Sequence, residues 1–399
     1  MAARSWTVPW KLQQGVGSKQ EAVSRRRSES GATRPWTLDL GLWTLDFGPW
    51  TLDLILRLAE AKNIVVRSTN WVGDVVMSLP ALRELRAAIP GARIAVLARP
   101  GVSAIFEREP SVDRVLLHEG RGWAGWRQAA RELRADRFDA ALLLQNAFEA
   151  ALIARWAGIP LRCGYARDGR SWLLSHAVAP PADGEVPRHE CYYYLELLRR
   201  LEVIKELPRV EQILLGKRPA VETGRRLLAE CGLQAREREP VVGISPGAAF
   251  GSAKCWLPER FAAVGRALAD DGASMVVFGT AAEQPLADSV AAEIGGRAIS
   301  LAGRTTLDQF IGMVAGCDLF ISNDSGGMHL AAAAGVPVLA IFGATDETAT
   351  APLGPCVRIV KKPVDCSPCK LRECPTDHRC MLAIEAGDVL QAARAMLQA

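Results

Sequence analysis

Ile321-Ser322-Asn323-Asp324-Ser325-Gly326-Gly327-Met328-His329-Leu330, followed by the alanines 331–334 and by Gly335-Val336-Pro337-Val338-Leu339, is the stretch on which the fold turns. It reads as a buried strand that stops at an Asn-Asp-Ser-Gly-Gly turn and restarts as an alanine-rich helix. The first N–H groups of such a helix have no partner within it and face the carboxyl end of the strand, which makes that place an anion site. Gly326 and Gly327 let backbone approach a phosphate, Ser325 adds a hydroxyl donor, and His329 falls in the first helical turn. An ordinary turn capped by Asp or Ser explains the same letters. The rest of the chain decides between the two.

Outward from this stretch, short apolar runs alternate with helical patterns. Asn63–Arg67, Ile94–Leu97, Arg114–Leu117 and Ala140–Leu144 form one series. A helix from the Gly216-Lys217-Arg218-Pro219 run to about Cys231 leads to a second series at Val241–Ser245, Ser274–Gly279, Ala298–Leu301, Leu319–Ser322 and Val338–Gly343. Strand–helix alternation implies parallel sheets covered on both faces. The expected fold is α/β, two Rossmann-like doubly wound domains facing a cleft, with ligands at the carboxyl ends of the strands. We place a first domain at 58–215, a linker helix at 216–238 and a second domain at 239–399.

Residues 1–57 read differently. Pro35-Trp36-Thr37-Leu38-Asp39-Leu40-Gly41 recurs as Leu42–Gly48 and again from Pro49 to Leu54 with a seven-residue period. Three such copies are too few for a solenoid, and Gly and Pro in the copies argue against a coiled coil. We expect a disordered or spuriously translated extension, with the functional start near residue 58.

At 399 residues with 49% hydrophobic and 23% charged residues, the chain suits two globular domains. A net charge of +4, with no RNA- or DNA-binding module, argues against nucleic acid. No apolar run reaches the length of a membrane span, and the polar, arginine-rich start lacks a signal core, so a cytoplasmic protein is expected. Six of the ten cysteines are scattered singly, which suits reduced thiols. Between Asn63 and Ile204 every basic residue other than histidine is arginine. That suits bidentate binding of phosphate or carboxylate, although a GC-rich genome produces the same bias.

Three further turns carry candidate chemistry. Ser68-Thr69-Asn70-Trp71-Val72-Gly73-Asp74 sets a carboxylate at a helix start, where a capping role is the plain alternative. Pro246-Gly247 through Ser252-Ala253-Lys254-Cys255-Trp256 follows the first strand of the second series and offers Lys254 as a phosphate counter-charge, or merely a solvated lysine in a glycine-rich loop. Phe278-Gly279-Thr280-Ala281-Ala282-Glu283 ends the second strand with Glu283 available to sugar hydroxyls or to a helix N-terminus.

In this order and spacing, the Arg67–Ser78 opening, the Pro246–Trp256 loop, Phe278-Gly279 with Glu283, and Ser322–His329 resemble glycosyltransferase family 9, the ADP-heptose:lipopolysaccharide heptosyltransferases, over residues 62–399. The Asn-Trp-Val-Gly-Asp opening looks more like the second heptosyltransferase than the first. The resemblance implies a GT-B fold and metal-independent, inverting transfer from ADP-heptose to a lipid A–Kdo–heptose acceptor, at peripheral contact with the inner membrane. It also implies that Asp74 is the general base, Lys254 the donor-phosphate lysine, and Glu283 the ribose carboxylate. Gly247, Ser252, Gly279, Asp324, Ser325, Gly326, Gly327 and His329 complete the implied donor site. Another family 9 transferase, adding the first heptose or using a different sugar nucleotide, is the nearest alternative. A non-catalytic nucleotide-sugar-binding protein is the alternative from another class, against which stands the presence of both Asp74 and Lys254. A dehydrogenase is disfavoured because neither series opens with G-x-G-x-x-G.

Cys366, Cys369, Cys374 and Cys380, with His378, crowd 15 positions. Their spacing admits a structural zinc, far along the chain from the cleft motifs, or reduced thiols closing an irregular loop. No metal is expected for catalysis. The last helix, Ile384–Leu397, is expected from the GT-B resemblance to return to the N-terminal domain.

Overall fold

The computed structural model describes residues 58–236 and 239–398; the heptad-like repeat lies outside them. Twelve strands form two sheets among the described residues. Strands β1 (Asn63–Arg67), β2 (Arg93–Ala98), β3 (Arg114–Leu117), β4 (Ala140–Leu143), β5 (Leu161–Tyr165) and β6 (His176–Val178) assemble in the order β3-β2-β1-β4-β5-β6. Strands β7 (Val241–Ser245), β8 (Ser274–Val277), β9 (Ala298–Ser300), β10 (Leu319–Asn323), β11 (Val338–Ile341) and β12 (Val357–Val360) assemble as β12-β11-β10-β7-β8-β9. Every pairing is parallel. Counted within each half, the two orders are the same, with the reversal point between the first and fourth strands. That crevice is where doubly wound sheets bind ligands.

Central strands β1, β4, β7, β10 and β11 are almost wholly buried, as strands covered by helices on both faces must be. Each sheet accordingly has apolar clusters on both sides. One cluster runs from Ile64, Val66 and Leu79 of the first half to Ile311, Leu330 and Ala333 of the second, so the halves share apolar contact rather than a linker alone. The central element of that contact is the helix Val72–Ala88, which lies against the helix Gly326–Ala334. The linker reinforces it where Leu215 N–H donates to Ala333 O at 2.8 Å and Lys217 N–H to Arg108 O at 2.8 Å.

Strands β5, β6 and β12 had no counterpart in the sequence reading; they are short and lie toward or at sheet edges, where three to five residues carry little periodic signal. One expectation is corrected outright. The last helix, Ala386–Leu397, does not return to the first half but packs on the helix Pro258–Asp270 and beside β10, β11 and β12. Its inward residues Val389, Ala392 and Ala393 complete the core of the second sheet, and Arg394 pairs with Asp271 at 2.7 Å. The small inward side chains fit the near face of their own sheet, which is the apolar surface closest to the end of the chain.

Candidate active site

The turn after β1 and the turn after β10 start two helices whose first residues meet. A Cβ on Gly326 would lie 2.7 Å from Val72 Cβ, and one on Gly73 would lie 3.0 Å from His329 Cδ2. Glycine at 326 is what lets the helix starts approach so closely, and glycine at 73 leaves room for the His329 ring. Asp74 therefore sits, partly buried, in the first turn of one helix and close enough to Lys254 of the other half to feel its charge. Burial pushes the Asp74 carboxyl up to about 6, against which Lys254 acts downward. A carboxylate of this kind is ionised near neutrality and is still a competent proton acceptor.

Lys254 ends the glycine-rich loop after β7. Its ammonium forms an ion pair of 2.6 Å with Asp324 Oδ2, whose side chain is 5% exposed, and it lies 4.7 Å over the Phe250 ring. Thr345 Oγ1 donates to the same Asp324 oxygen at 2.6 Å. Asn323 ties the two turns together, with Nδ2 donating to Pro246 O at 2.6 Å and Oδ1 accepting from Trp256 N–H at 2.9 Å. Ser325 Oγ lies 3.0 Å from Ser322 Oγ, and Gly326 and Gly327 open the following helix. Ser252 is exposed, at the start of the short turn that carries Lys254.

His329 is buried, and burial holds its imidazole down near 4, hence neutral. It packs against Gly73 and closes the contact between the halves. Glu283 does two things. Its Oε2 accepts from Thr280 N–H and Oγ1, both at 2.8 Å, as a capping box, while Oε1 lies where a Gly247 Cβ would be, 2.1 Å away. The helix-start alternative thus holds for one oxygen, and the other lies over the backbone of Gly247. Gly279 also faces Glu283, with its added Cβ 3.3 Å from Glu283 Cβ.

A cavity of about 740 Å³ opens at the β1/β4 reversal point. Asn70, Trp71, Asp74, Gln145 and Asn146 line it from the strand ends, joined by Arg167, Glu190, Tyr193 and Lys370. Thr69 Oγ1 and Gln145 Oε1 on its wall are buried without a hydrogen-bond partner among the described residues, a state that a polar ligand relieves. Trp71 is half exposed at the cavity and offers a flat apolar face. Burial and the Asp74 charge push Glu190 up to about 7, opposed by Arg167 and Lys370. A second cavity of about 670 Å³ shares Asn70 and adds Arg99 and Arg121.

Arg167, Glu190, Tyr193 and Lys370 were absent from the sequence reading. The usable signal was His189-Glu190-Cys191-Tyr192-Tyr193-Tyr194, which holds three of the four tyrosines in the chain. His189 accepts from Cys191 N–H through Nδ1, so its Nε2 proton goes to Ala351 O at 2.8 Å. Glu190 N–H donates to Ala349 O at 2.9 Å. These bonds tie the cavity rim to the second half.

The cysteine-rich segment carried two readings, a structural zinc or reduced thiols closing an irregular loop. Among the described residues no group of three or more His, Cys, Asp or Glu is placed to hold a metal ion. Cys366, Cys369, Cys374 and Cys380 are free thiols: Cys366 is exposed, while Cys380 is buried and turned in beside Gly343 and Met381. The segment is not remote from the cleft, although sequence distance suggested it. Ala253 N–H donates to Arg372 O at 3.0 Å, His378 Nε2 lies 3.1 Å from Ala253 O, and the Arg372 guanidinium lies over the Phe250 ring at 5.0 Å. The segment braces the Lys254 loop and carries Lys370 to the cavity.

Two doubly wound sheets of one strand order, with a carboxylate from one half brought within reach of the charge of a lysine from the other, define a glycosyltransferase of the GT-B class. Residues 126–379 match glycosyltransferase family 9 (heptosyltransferase). The chain is 32% identical over 307 residues to lipopolysaccharide heptosyltransferase 2 of Salmonella typhimurium, covering 75% of this chain and 87% of that protein. It is 25% identical over 346 residues to lipopolysaccharide heptosyltransferase 1 of Pseudomonas aeruginosa, covering 79% and 89%. The solved structure of E. coli ADP-heptose LPS heptosyltransferase II matches with a TM-score of 0.72 at 29% identity, over 84% of this chain and 98% of that one. The chain belongs to glycosyltransferase family 9 and is a heptosyltransferase of the lipopolysaccharide core.

Proposed function

We propose that the protein adds the second heptose of the inner core, transferring it with inversion and without a metal ion from ADP-L-glycero-β-D-manno-heptose to heptosyl-Kdo2-lipid A on the cytoplasmic face of the inner membrane. The observation that carries this reading is the approach of Asp74 to Lys254 at the meeting of two helix starts. Higher identity to a type 2 relative than to a type 1 relative supports the second heptose over the first. The half from 58 to 215 holds the acceptor in the Asp74 cavity; the half from 239 to 399 holds the donor.

Asp74 takes the proton from the acceptor hydroxyl as its oxygen bonds to the anomeric carbon. The bond from that carbon to the diphosphate oxygen breaks on the opposite face, and ADP departs with the electron pair. Negative charge grows on the departing oxygen. Lys254 and the N–H groups of the Ser325-Gly326-Gly327 turn face it. Asp324 orients the ammonium through one N–H, leaving two for the diphosphate. Glu283, over Gly247 and beside Gly279, receives the ribose hydroxyls, and Ser252 and His329 border the donor. Arg167 and Lys370 bring positive charge to the acceptor cavity, while Arg99 and Arg121 do so in the second. The acceptor's carboxylates suit them. The chain has no Asp-x-Asp pair of the kind that holds a divalent ion against a diphosphate.

The test is mass spectrometry of the glycan after incubation with ADP-heptose and either heptosyl-Kdo2-lipid A or Kdo2-lipid A. A mass gain of one heptose on the first acceptor alone is the expected result. A gain on Kdo2-lipid A alone would move the reading to the first transferase.

A further inference from the structure

The helix Gly122–Ala135 buries Gly125, Ala129, Ala130 and Leu133 and packs Trp126, partly buried, against the core of the first sheet, while Trp123 stays at the surface. An aromatic ring contributes most to folding when buried, so the exposed Trp123 does not serve the core. Trp123 is 60% exposed, 5.3 Å from Trp126 and 5.6 Å from Trp156 of the adjoining helix Phe148–Ala157. The same second helix begins with exposed Phe148, 6.2 Å from Trp172, which is 73% exposed on the turn Ser171–Leu173. Five ring side chains thus stand on two adjoining elements and a neighbouring turn.

Their surroundings are cationic. Between 121 and 137 there are five arginines against two carboxylates, and Arg121, Arg127 and Arg131 are exposed. Arg127 lies over the Trp156 ring at 5.9 Å. Tryptophan with arginine is the pairing that sits at the headgroup level of a bilayer, the ring among glycerol and acyl groups and the guanidinium at lipid phosphates.

We propose that this face docks on an anionic lipid surface. Its place fits. Phe148 follows Asn146 and Ala147 on the wall of the larger cavity, and Arg121 lines the second, so docking sets both mouths beside the membrane. That orientation rests on the proposed lipid-linked acceptor; the docking itself is testable without donor or acceptor.

The experiment is co-sedimentation of the full chain with vesicles of phosphatidylcholine alone or mixed with phosphatidylglycerol. We expect binding to the mixed vesicles that weakens as salt rises. Trp123→Ser with Trp172→Ser should lower partitioning about tenfold or more at unchanged melting temperature. Arg127→Glu with Arg131→Glu should abolish the preference for phosphatidylglycerol. With either pair, KM for vesicle-embedded acceptor rises while turnover of a deacylated, water-soluble acceptor stays the same. Failure of the native protein to bind mixed vesicles would overturn the proposal, as would unaltered binding by both double variants. A change in sedimentation coefficient on losing Trp123 and Trp172, with vesicle binding intact, would instead make the face a contact between copies. Vesicle binding with no transfer to any heptose acceptor would sink the proposed reaction and leave the docking surface standing.

Discussion

The two halves share one strand order yet treat their polar groups in opposite ways. In the second, the groups that motifs announced already hold one another: Lys254 with Asp324 and Thr345, Asn323 with Pro246 and Trp256, Glu283 with Thr280. In the first, the cavity wall carries buried atoms without partners, and two of its carboxyls are displaced upward, Asp74 to about 6 and Glu190 to about 7. A nucleotide is a constant ligand, which a prearranged polar set suits. A carboxylate that must take up a proton cannot be fully satisfied in advance.

The sharpest way to break this contrast is to remove the proton acceptor. Asp74→Asn is expected to lower turnover by about 10²–10⁴-fold while ADP binding changes only a few-fold. Turnover assays with calorimetry decide it, and full activity would end the role of Asp74. Stability follows a defined sign. The pKa of Asp74 is higher in the folded than in the unfolded chain, so ionising it disfavours folding progressively as pH rises from the ordinary carboxylate range through about 6. Asp74→Asn lifts that cost, and its melting temperature at pH 8 should not fall below the native value.

Removing the prearranged side tests the other half. Lys254→Ala should weaken ADP by about 1.5–3 kcal/mol, more than it weakens adenosine, because its charge addresses phosphate. Equal losses for the two ligands would show that Lys254 serves the fold alone. The same variant links the halves. Lys254 holds the Asp74 pKa down, so its loss should move the acid limb of kcat/KM, expected near pH 6 in the native enzyme, to higher pH. A pH profile that shifts the other way, or not at all, would uncouple the two sites. Because Asp74 and Glu190 interact, the limb reports the pair rather than either group.

Smaller effects are expected elsewhere. Transfer should persist in EDTA, and Cys366→Ser with Cys374→Ser should leave both turnover and metal content by mass spectrometry unchanged; loss of activity on chelation, restored by Mg²⁺, would refute the metal-independent reading. Deleting residues 1–57 while retaining Leu58, which is buried in the first core, should leave turnover and melting temperature as they were. A large fall in melting temperature would give that segment a structural role.

Much of the architecture was legible because it is written locally. Apolar runs at Asn63, Ala140, Val241 and Leu319 are flanked by glycine, serine and asparagine turns, and each constraint acts within a few residues of itself. The turns that put Asp74, Lys254, Glu283 and Asp324 at strand ends belong to the same class. Strand–helix alternation together with parallel pairing leaves few ways to wind the sheets.

What tertiary structure alone decided has no such local trace. Glu190, Arg167 and Lys370 reach the Asp74 cavity from separate segments, and no periodicity links them. That the cysteine-rich segment turns Cys380 inward and braces the Lys254 loop has no trace in its spacing. The last helix settles on its own sheet because Val389, Ala392 and Ala393 fit the nearest apolar face. Sequence determined the elements and the turns between them, since backbone geometry and hydrophobic period act along the chain. Which side chains share a cavity, and how burial and neighbouring charge reset their acidities, depends on distances that exist only once the two halves have met.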